Sequence, residues 1–221
     1  DLAGGVASLP YSYLSSAPPS GENEAVIVPL QKDAWATVIS NPALVVGSGT
    51  EDAVRYTLLP VLKARSIRPC GMLSWGNGKA ERAGEKELEK EYPGIRNWGA
   101  EFGECPVRQW RLRPGNALVL EDFPVPLRTG IRQDRNRVLS WECRGRRFLM
   151  IGNTGFSSLA RAEKTPRADV LLIGHHPRDP VDSAAWIRAT GARAVIFTTE
   201  HECPVPEGTA VYRLRETGTL Y

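Results

Sequence analysis

Ile67-Arg68-Pro69-Cys70-Gly71-Met72-Leu73 runs directly into Ser74-Trp75-Gly76-Asn77-Gly78-Lys79-Ala80-Glu81-Arg82-Ala83-Gly84. Ile67 to Leu73 reads as a buried strand, and Glu85 to Glu91 reads as a charged helix. A strand that turns and reopens as a helix is the working unit of an α/β sheet. Such sheets carry their chemistry in the crevice beyond the carboxyl ends of the strands. The turn after Leu73 therefore has the address of an active site. Yet Ser74 to Gly84 holds no His, Cys or Asp. Gly76-Asn77-Gly78-Lys79 also lacks the spacing of a phosphate-binding loop.

Upstream, Asp1 to Asn23 is rich in Gly, Ala, Ser and Pro and reads as a linker, leaving 24–221 as the folded domain. Ala25 to Leu30, Ala34 to Ile39 and Ala43 to Val46 read as three strands of a meander. Gly47-Ser48-Gly49 is a turn, with Thr50 as helix N-cap. The helix Glu51 to Ala64 presents Val54, Leu58, Leu59, Val61 and Leu62 on its apolar side, and Pro60 kinks or splits it.

Downstream, Ile95 to Trp98, Val107 to Leu112, Ala117 to Glu121, Arg137 to Cys143 and Arg146 to Ile151 read as strands. Arg113 to Asn116 and Arg144-Gly145 are the hairpin turns between them. A short helix, Ser157 to Glu163, precedes the strand Ala168 to Ile173. The helix Pro180 to Thr190 and the strand Ala192 to Phe197 follow, and Val211 to Leu214 with Thr219 to Tyr221 form a closing pair. This order is that of an α/β protein with two central sheets and helices packed outside them.

The 221 residues suit one large domain or two small ones, and the 42% hydrophobic and 24% charged content is that of a globular chain. A formal charge of +3 permits nucleic-acid contact without demanding it. No apolar run approaches the roughly 20 residues that span a bilayer. No signal-peptide pattern is visible, and the start at Asp1 is that of a piece cut from a longer protein. Cys70, Cys105, Cys143 and Cys203 lack zinc-site spacing. They read as four separate thiols or as two disulfides.

His175-His176 follows a buried strand, and His201 sits past Phe197. Three histidines at strand ends could hold a metal with help from Asp33, Asp169, Asp179 or Asp182. Structural histidines bonded to local backbone are the competing reading. Asn153, in Gly152-Asn153-Thr154-Gly155, is also at a strand end, where Asn most often serves a turn. The most basic region holds Arg128, Arg132, Arg135, Arg137, Arg144, Arg146 and Arg147 with Trp141 interleaved. It is either a phosphate-backbone contact or a solvated hairpin face. Strand alternation places Arg135 and Arg137 on one face.

From Ala25 to Tyr221 the order of elements resembles the metallo-β-lactamase fold. More narrowly, it resembles the C-terminal domain of the ComEC family, the membrane channel of natural DNA uptake. Gln31-Lys32-Asp33-Ala34 is similar to that family's G-Q-G-D-A turn, and Val45-Val46-Gly47-Ser48-Gly49 to its I-D-T-G turn. Leu59-Pro60-Val61-Leu62 through Ile67 is similar to its L-P-x-L-x-x-x-G-I segment. Phe148 to Asn153 is similar to its strand ending T-G-D, with Asn153 in place of the family's bridging Asp, and Asp169 to Pro177 to its A-D-V-L-K-V-P-H-H-G-S. Where the family's first metal motif reads T-H-x-D-x-D-H-x-G-G, Trp75, Asn77, Lys79 and Ala80 stand in place of His, Asp, Asp and His.

The resemblance implies an αββα sandwich, two mixed β-sheets with helices on the outer faces, and descent from a metal-dependent nuclease. Of the metal motifs only His175 and His176 remain intact. The expectation is a catalytically inactive domain that has lost the family's divalent metal and keeps no other cofactor. Its expected partners are DNA and the channel part of the same polypeptide, on the outer face of the cytoplasmic membrane. Two alternatives stand beside it: a hydrolase relocated to His175, His176 and His201, and a scaffold domain unrelated to DNA uptake.

Overall fold

The computed structural model describes residues 24–30, 34–40, 43–73, 78–97, 109–111, 119–123, 138–143, 145–174 and 181–220. The linker reading of 1–23 lies outside them. The chain divides into two compact units, one of residues 1–104 with 216–221 and one of 105–215.

The first unit is built on a five-stranded mixed sheet in the order β1-β2-β3-β4-β5. Its strands are β1 (Glu24–Pro29), β2 (Trp35–Ser40), β3 (Leu44–Val46), β4 (Gly71–Leu73) and β5 (Arg96–Asn97). β1, β2 and β3 pair antiparallel, so the meander is as expected, whereas β3, β4 and β5 run parallel. Leu220 makes an antiparallel bridge to Ile27 on the free side of β1. The strand expected from Ile67 starts only at Gly71. Residues before it close the preceding helix instead: Ser66 takes a positive φ of 54° and the Ile67 N–H donates to Leu62 O at 2.8 Å. Pro69 then offers no N–H to a ladder.

That helix has three parts: α1 (Glu51–Ala53), a π-turn (Val54–Leu58) and α2 (Leu59–Ala64). Thr50 Oγ1 accepts from Ala53 N at 3.1 Å, the expected cap. Pro60 neither breaks nor splits the run. It cannot donate to the preceding turn, and the Leu59 N–H reaches back to Val54 O in a π-turn that widens the helix. Val54, Leu58, Leu59 and Leu62 pack into a core with Val26, Val28, Val38, Val45 and Met72.

α3 (Lys79–Glu91) begins six residues before the expected helix. Lys79 through Ala83 are good helix formers, and their propensity outweighs the single Gly84, which read as punctuation. Gly84 is buried for packing. A Cβ there would overlap the Gly49 carbonyl oxygen and lie 2.9 Å from Ser48 Oγ. Ser48 Oγ donates to Glu81 O at 3.2 Å across the same contact. Arg55 bonds Glu87 at 3.0 Å and Glu51 at 2.5 Å, and Lys63 pairs with Glu91 at 2.6 Å. The Arg55–Glu87 and Lys63–Glu91 pairs tie the π-turn and α2 to α3.

The second unit is a seven-stranded mixed sheet in the order β12-β11-β10-β9-β8-β7-β6. Its strands are β6 (Gln109–Arg111), β7 (Val119–Phe123), β8 (Val138–Cys143), β9 (Arg146–Gly152), β10 (Val170–Ile173), β11 (Ala194–Phe197) and β12 (Ala210–Arg213). β6 to β9 pair antiparallel, and β9 to β12 pair parallel. β10 and β11 are buried along their whole length, as continuous apolar strands inside a parallel sheet should be. α4 (Phe156–Leu159) and α5 (Ser183–Thr190) connect the parallel strands. Phe156, Leu159, Trp186 and Ile187 pack with Leu149, Leu171 and Val195. Val211 to Leu214 and Thr219 to Tyr221 are not a pair: β12 pairs with β11, and Leu214 opens the short α6 (Leu214–Thr217).

Both units therefore contain the expected mixed sheet with helices. Cys70, Cys143 and Cys203 are free thiols, and Cys105 lies outside the described residues. Among the described residues no helix is long and apolar enough to cross a membrane.

Two outcomes follow from the α3 contact. Gly84→Ala should lower unfolding free energy by about 2 kcal/mol in urea titration, as overpacking against backbone does. Arg55 holds the Glu87 carboxyl below its ordinary value, mainly through their hydrogen bond. A depressed folded pKa gives stability that is present above the unfolded carboxylate range and lost as pH falls through it. Glu87→Gln should therefore cost most at pH 7, and the difference from wild type should shrink below about pH 4 in the same titrations.

Candidate functional site

The carboxyl ends of β9, β10 and β11 lie together because the three strands are parallel and in register. β9 ends at Gly152, whose positive φ of 56° coincides with a register shift against Leu172 and Ile173 of β10. A bulge at a strand end re-aims the next side chain. That next residue is Asn153, and Thr154 follows. β10 ends at Ile173, and the N–H of the next residue, Gly174, donates to Gly152 O at 2.8 Å. Thr198-Thr199 directly follows β11. Thr198 donates to Ile173 O through both its N–H, at 2.9 Å, and its hydroxyl, at 3.1 Å. Thr199 Oγ1 accepts the His201 N–H at 3.2 Å.

This edge is polar and sheltered. Thr154, Thr198 and Thr199 are buried, and Asn153 is half-buried. Among the described residues two polar atoms here find no hydrogen-bond partner: Asn153 Oδ1 and Thr154 Oγ1. An unpartnered buried polar atom costs about 1–3 kcal/mol, and both of these atoms are left uncompensated among the described residues. Sequence reasoning missed Thr154, Thr198 and Thr199. The signal was present in the Thr pair that follows an all-apolar strand.

The remaining candidates are scattered or committed elsewhere. Lys79 and Ala80 are exposed in the first turn of α3, not in a loop. Gly47, standing where the resemblance has Asp, holds φ 77° and donates its N–H to Leu73 O at 2.9 Å. His201 is exposed. Asp182 accepts from Ala185 N at 3.2 Å as the N-cap of α5. Asp169 accepts from Arg147 N at 2.9 Å at the opposite end of β10. Five residues of strand separate it from Gly174, about 17 Å. It is therefore no partner for a site at the carboxyl edge. Trp75, Asn77, His175, His176, Asp33 and Asp179, and Arg128, Arg132, Arg135, Arg137 and Arg144 of the basic region, lie outside the described residues.

The donor chemistry at the described positions does not suit a divalent metal. Lys79 brings an ammonium, Ala80 no donor, and Asn153 a neutral amide where a charged carboxylate is the usual ligand. Among the described residues no group of three His, Cys, Asp or Glu side chains could hold a metal ion. Glu202, next to His201 in sequence, is also engaged: Arg213 donates to both its carboxylate oxygens and holds its pKa below the usual range. Burial pushes the Cys203 thiol up, away from the thiolate.

No family model and no curated protein matches the chain. Solved structures do. YhfI of Bacillus subtilis, a metallo-beta-lactamase fold protein, aligns over 79% of this chain and 86% of its own at 9% identity, with a TM-score of 0.53. Igni18, a metallo hydrolase of Ignicoccus hospitalis, aligns over 79% and 82% at 10% identity, with a TM-score of 0.50. The chain has the metallo-β-lactamase fold. At such identity the likeness concerns the fold alone. Within a metallo-β-lactamase fold, the Asn153–Thr154 turn is a sheltered polar edge whose side chains are neutral.

Thr154→Val tests whether the hydroxyl serves the folded chain. It removes an unpartnered polar group while keeping its shape, and should raise unfolding free energy by about 1 kcal/mol in urea titration.

Proposed function

We propose that this chain is a catalytically inactive metallo-β-lactamase-fold domain of a ComEC-like DNA-uptake protein, and that it contacts DNA or supports the channel. The observation that carries the reading is the chemistry of Asn153. A bridging metal ligand must be anionic to hold two cations, and here the buried oxygen at that strand end belongs to a neutral amide. Lys79 works in the same direction, because the resemblance has an anionic Asp ligand at its position and an ammonium repels a cation. Metal-assisted hydrolysis needs the ion to polarise the phosphodiester and generate hydroxide at neutral pH. Among the described residues no side chain at these strand ends supplies either role.

The relocated hydrolase gains no support from the described residues, since Asp169 and Asp182 serve as backbone acceptors. In this reading the domain stands on the outer face of the cytoplasmic membrane, where entering DNA is met. Its fold is retained as a shaped, charged body, and its reaction is lost.

Elemental analysis of the chain purified without chelator is the test. We expect zinc and manganese well below one equivalent, and no cleavage of linear DNA with either metal added. One equivalent of bound zinc or manganese would overturn the reading.

A further inference from the structure

Parallel strands collect their amino ends as well as their carboxyl ends, and in the second unit those ends collect arginine. Phe148, Val170, Ala194 and Ala210 lie in one register row across β9 to β12. One residue earlier, the row reads Arg147, Asp169, Arg193 and Thr209. Backbone bonds fix it: Asp169 N donates to Arg147 O at 2.8 Å, and Arg193 N to Asp169 O at 3.0 Å. Arg147 and Arg193 are thus two strand spacings apart, about 10 Å. Ala168 N donates to Thr190 O at 3.0 Å, which brings the carboxyl end of α5 to the same edge. Arg188 lies in that last turn, and Arg167 precedes Ala168. Residues from four separate stretches therefore meet at one edge.

Arg147, Arg167, Arg188 and Arg193 are all exposed, and among the described residues no ion pair engages any of them. None of the described acids at this edge forms an ion pair with them, and the arginines outnumber the acids. Glu142 stands opposite Arg147 in the β8–β9 ladder without bonding it, the Asp169 carboxylate accepts the Arg147 backbone N–H, and Glu207 sits in the turn before β12. Arg146 adds a further cation beside them. The negative end of the α5 dipole accounts for one cation nearby, not for four. Arginine is also the cation whose planar fork binds phosphate oxygens two at a time.

We infer that the amino-terminal edge of the second sheet, carrying Arg147, Arg167, Arg188 and Arg193, binds the phosphate backbone of nucleic acid. This deepens the DNA-contact reading above and rests on it for the partner. It moves the contact from one basic hairpin to a composite edge, at the opposite ends of the strands from Asn153. No sequence window showed it, because its arginines are spread from Arg147 to Arg193.

The test is binding of the full 221-residue chain to a fluorescent 30-mer DNA duplex between 50 and 200 mM salt. Four phosphate contacts give a log–log salt slope near −3.6, an affinity loss of about 100-fold over that range. Arg147→Gln with Arg193→Gln should reduce the slope by about 2, whereas Arg68→Gln with Arg82→Gln on the first unit should leave it unchanged. Unfolding curves of each variant check that the fold is intact, and Arg167→Gln with Arg188→Gln provides a second, independent pair. Wild-type binding with a slope that neither pair alters would overturn the edge while leaving DNA contact standing. No wild-type binding at 50 mM salt would overturn both. Binding to anionic phosphatidylglycerol vesicles but not to DNA would overturn the nucleic-acid assignment.

Discussion

Parallel pairing puts like ends of strands together, and that constraint decides which side chains meet at each edge of the second unit. β9, β10, β11 and β12 share one direction and one register. Their carboxyl ends gather Asn153, Thr154, Thr198 and Thr199 into a sheltered edge, and their amino ends gather the arginines. An antiparallel arrangement of the same strands would have mixed the two sets and given neither edge a character. The continuous apolar runs Val170 to Ile173 and Ala194 to Phe197 make the parallel arrangement possible, since strands covered on both faces must be apolar throughout.

In the first unit the controlling contact is closer and smaller. Gly84 lets α3 approach the Gly47–Thr50 turn until a methyl group would no longer fit. The Ser48 hydroxyl and the Arg55–Glu87 pair then fix α3 against the helix that carries the π-turn. Lys79 and Ala80 belong to the first turn of α3, so the geometry at the start of that helix is inherited from a packing contact one and a half turns further on. The chain keeps the scaffold of a fold that elsewhere hosts metal chemistry, while Asn153, Thr154, Thr198 and Thr199, just past the carboxyl ends of β9 and β11, are neutral.

Much of this was legible in residue order. The meander from Ala25 to Val46, the Thr50 cap, the buried strands of the second sheet and the α/β class all follow from local apolar pattern and turn chemistry. Three readings failed for physical reasons that no local window contains. Ile67 was taken for strand because it is apolar and β-branched, yet its N–H closes a helix. The residue pattern starts the helix at Glu85, yet Gly84 sits inside a helix from Lys79 that needs its missing side chain. Val211 to Leu214 was paired with the last residues because they are neighbours in sequence, yet β12 pairs with β11 and Leu220 bridges Ile27.

The sequence by itself determined the side-chain chemistry at each position: an amide at Asn153, an ammonium at Lys79 and a methyl at Ala80 are facts of composition that folding cannot change. Only the tertiary structure decided which groups meet. It set Asn153 Oδ1 and Thr154 Oγ1 in a sheltered edge without partners, removed Asp169 to the far end of its strand, and assembled arginines from distant stretches into one row. The physical reason is that side-chain identity is local, whereas strand direction and register are properties of pairing between segments far apart in the chain.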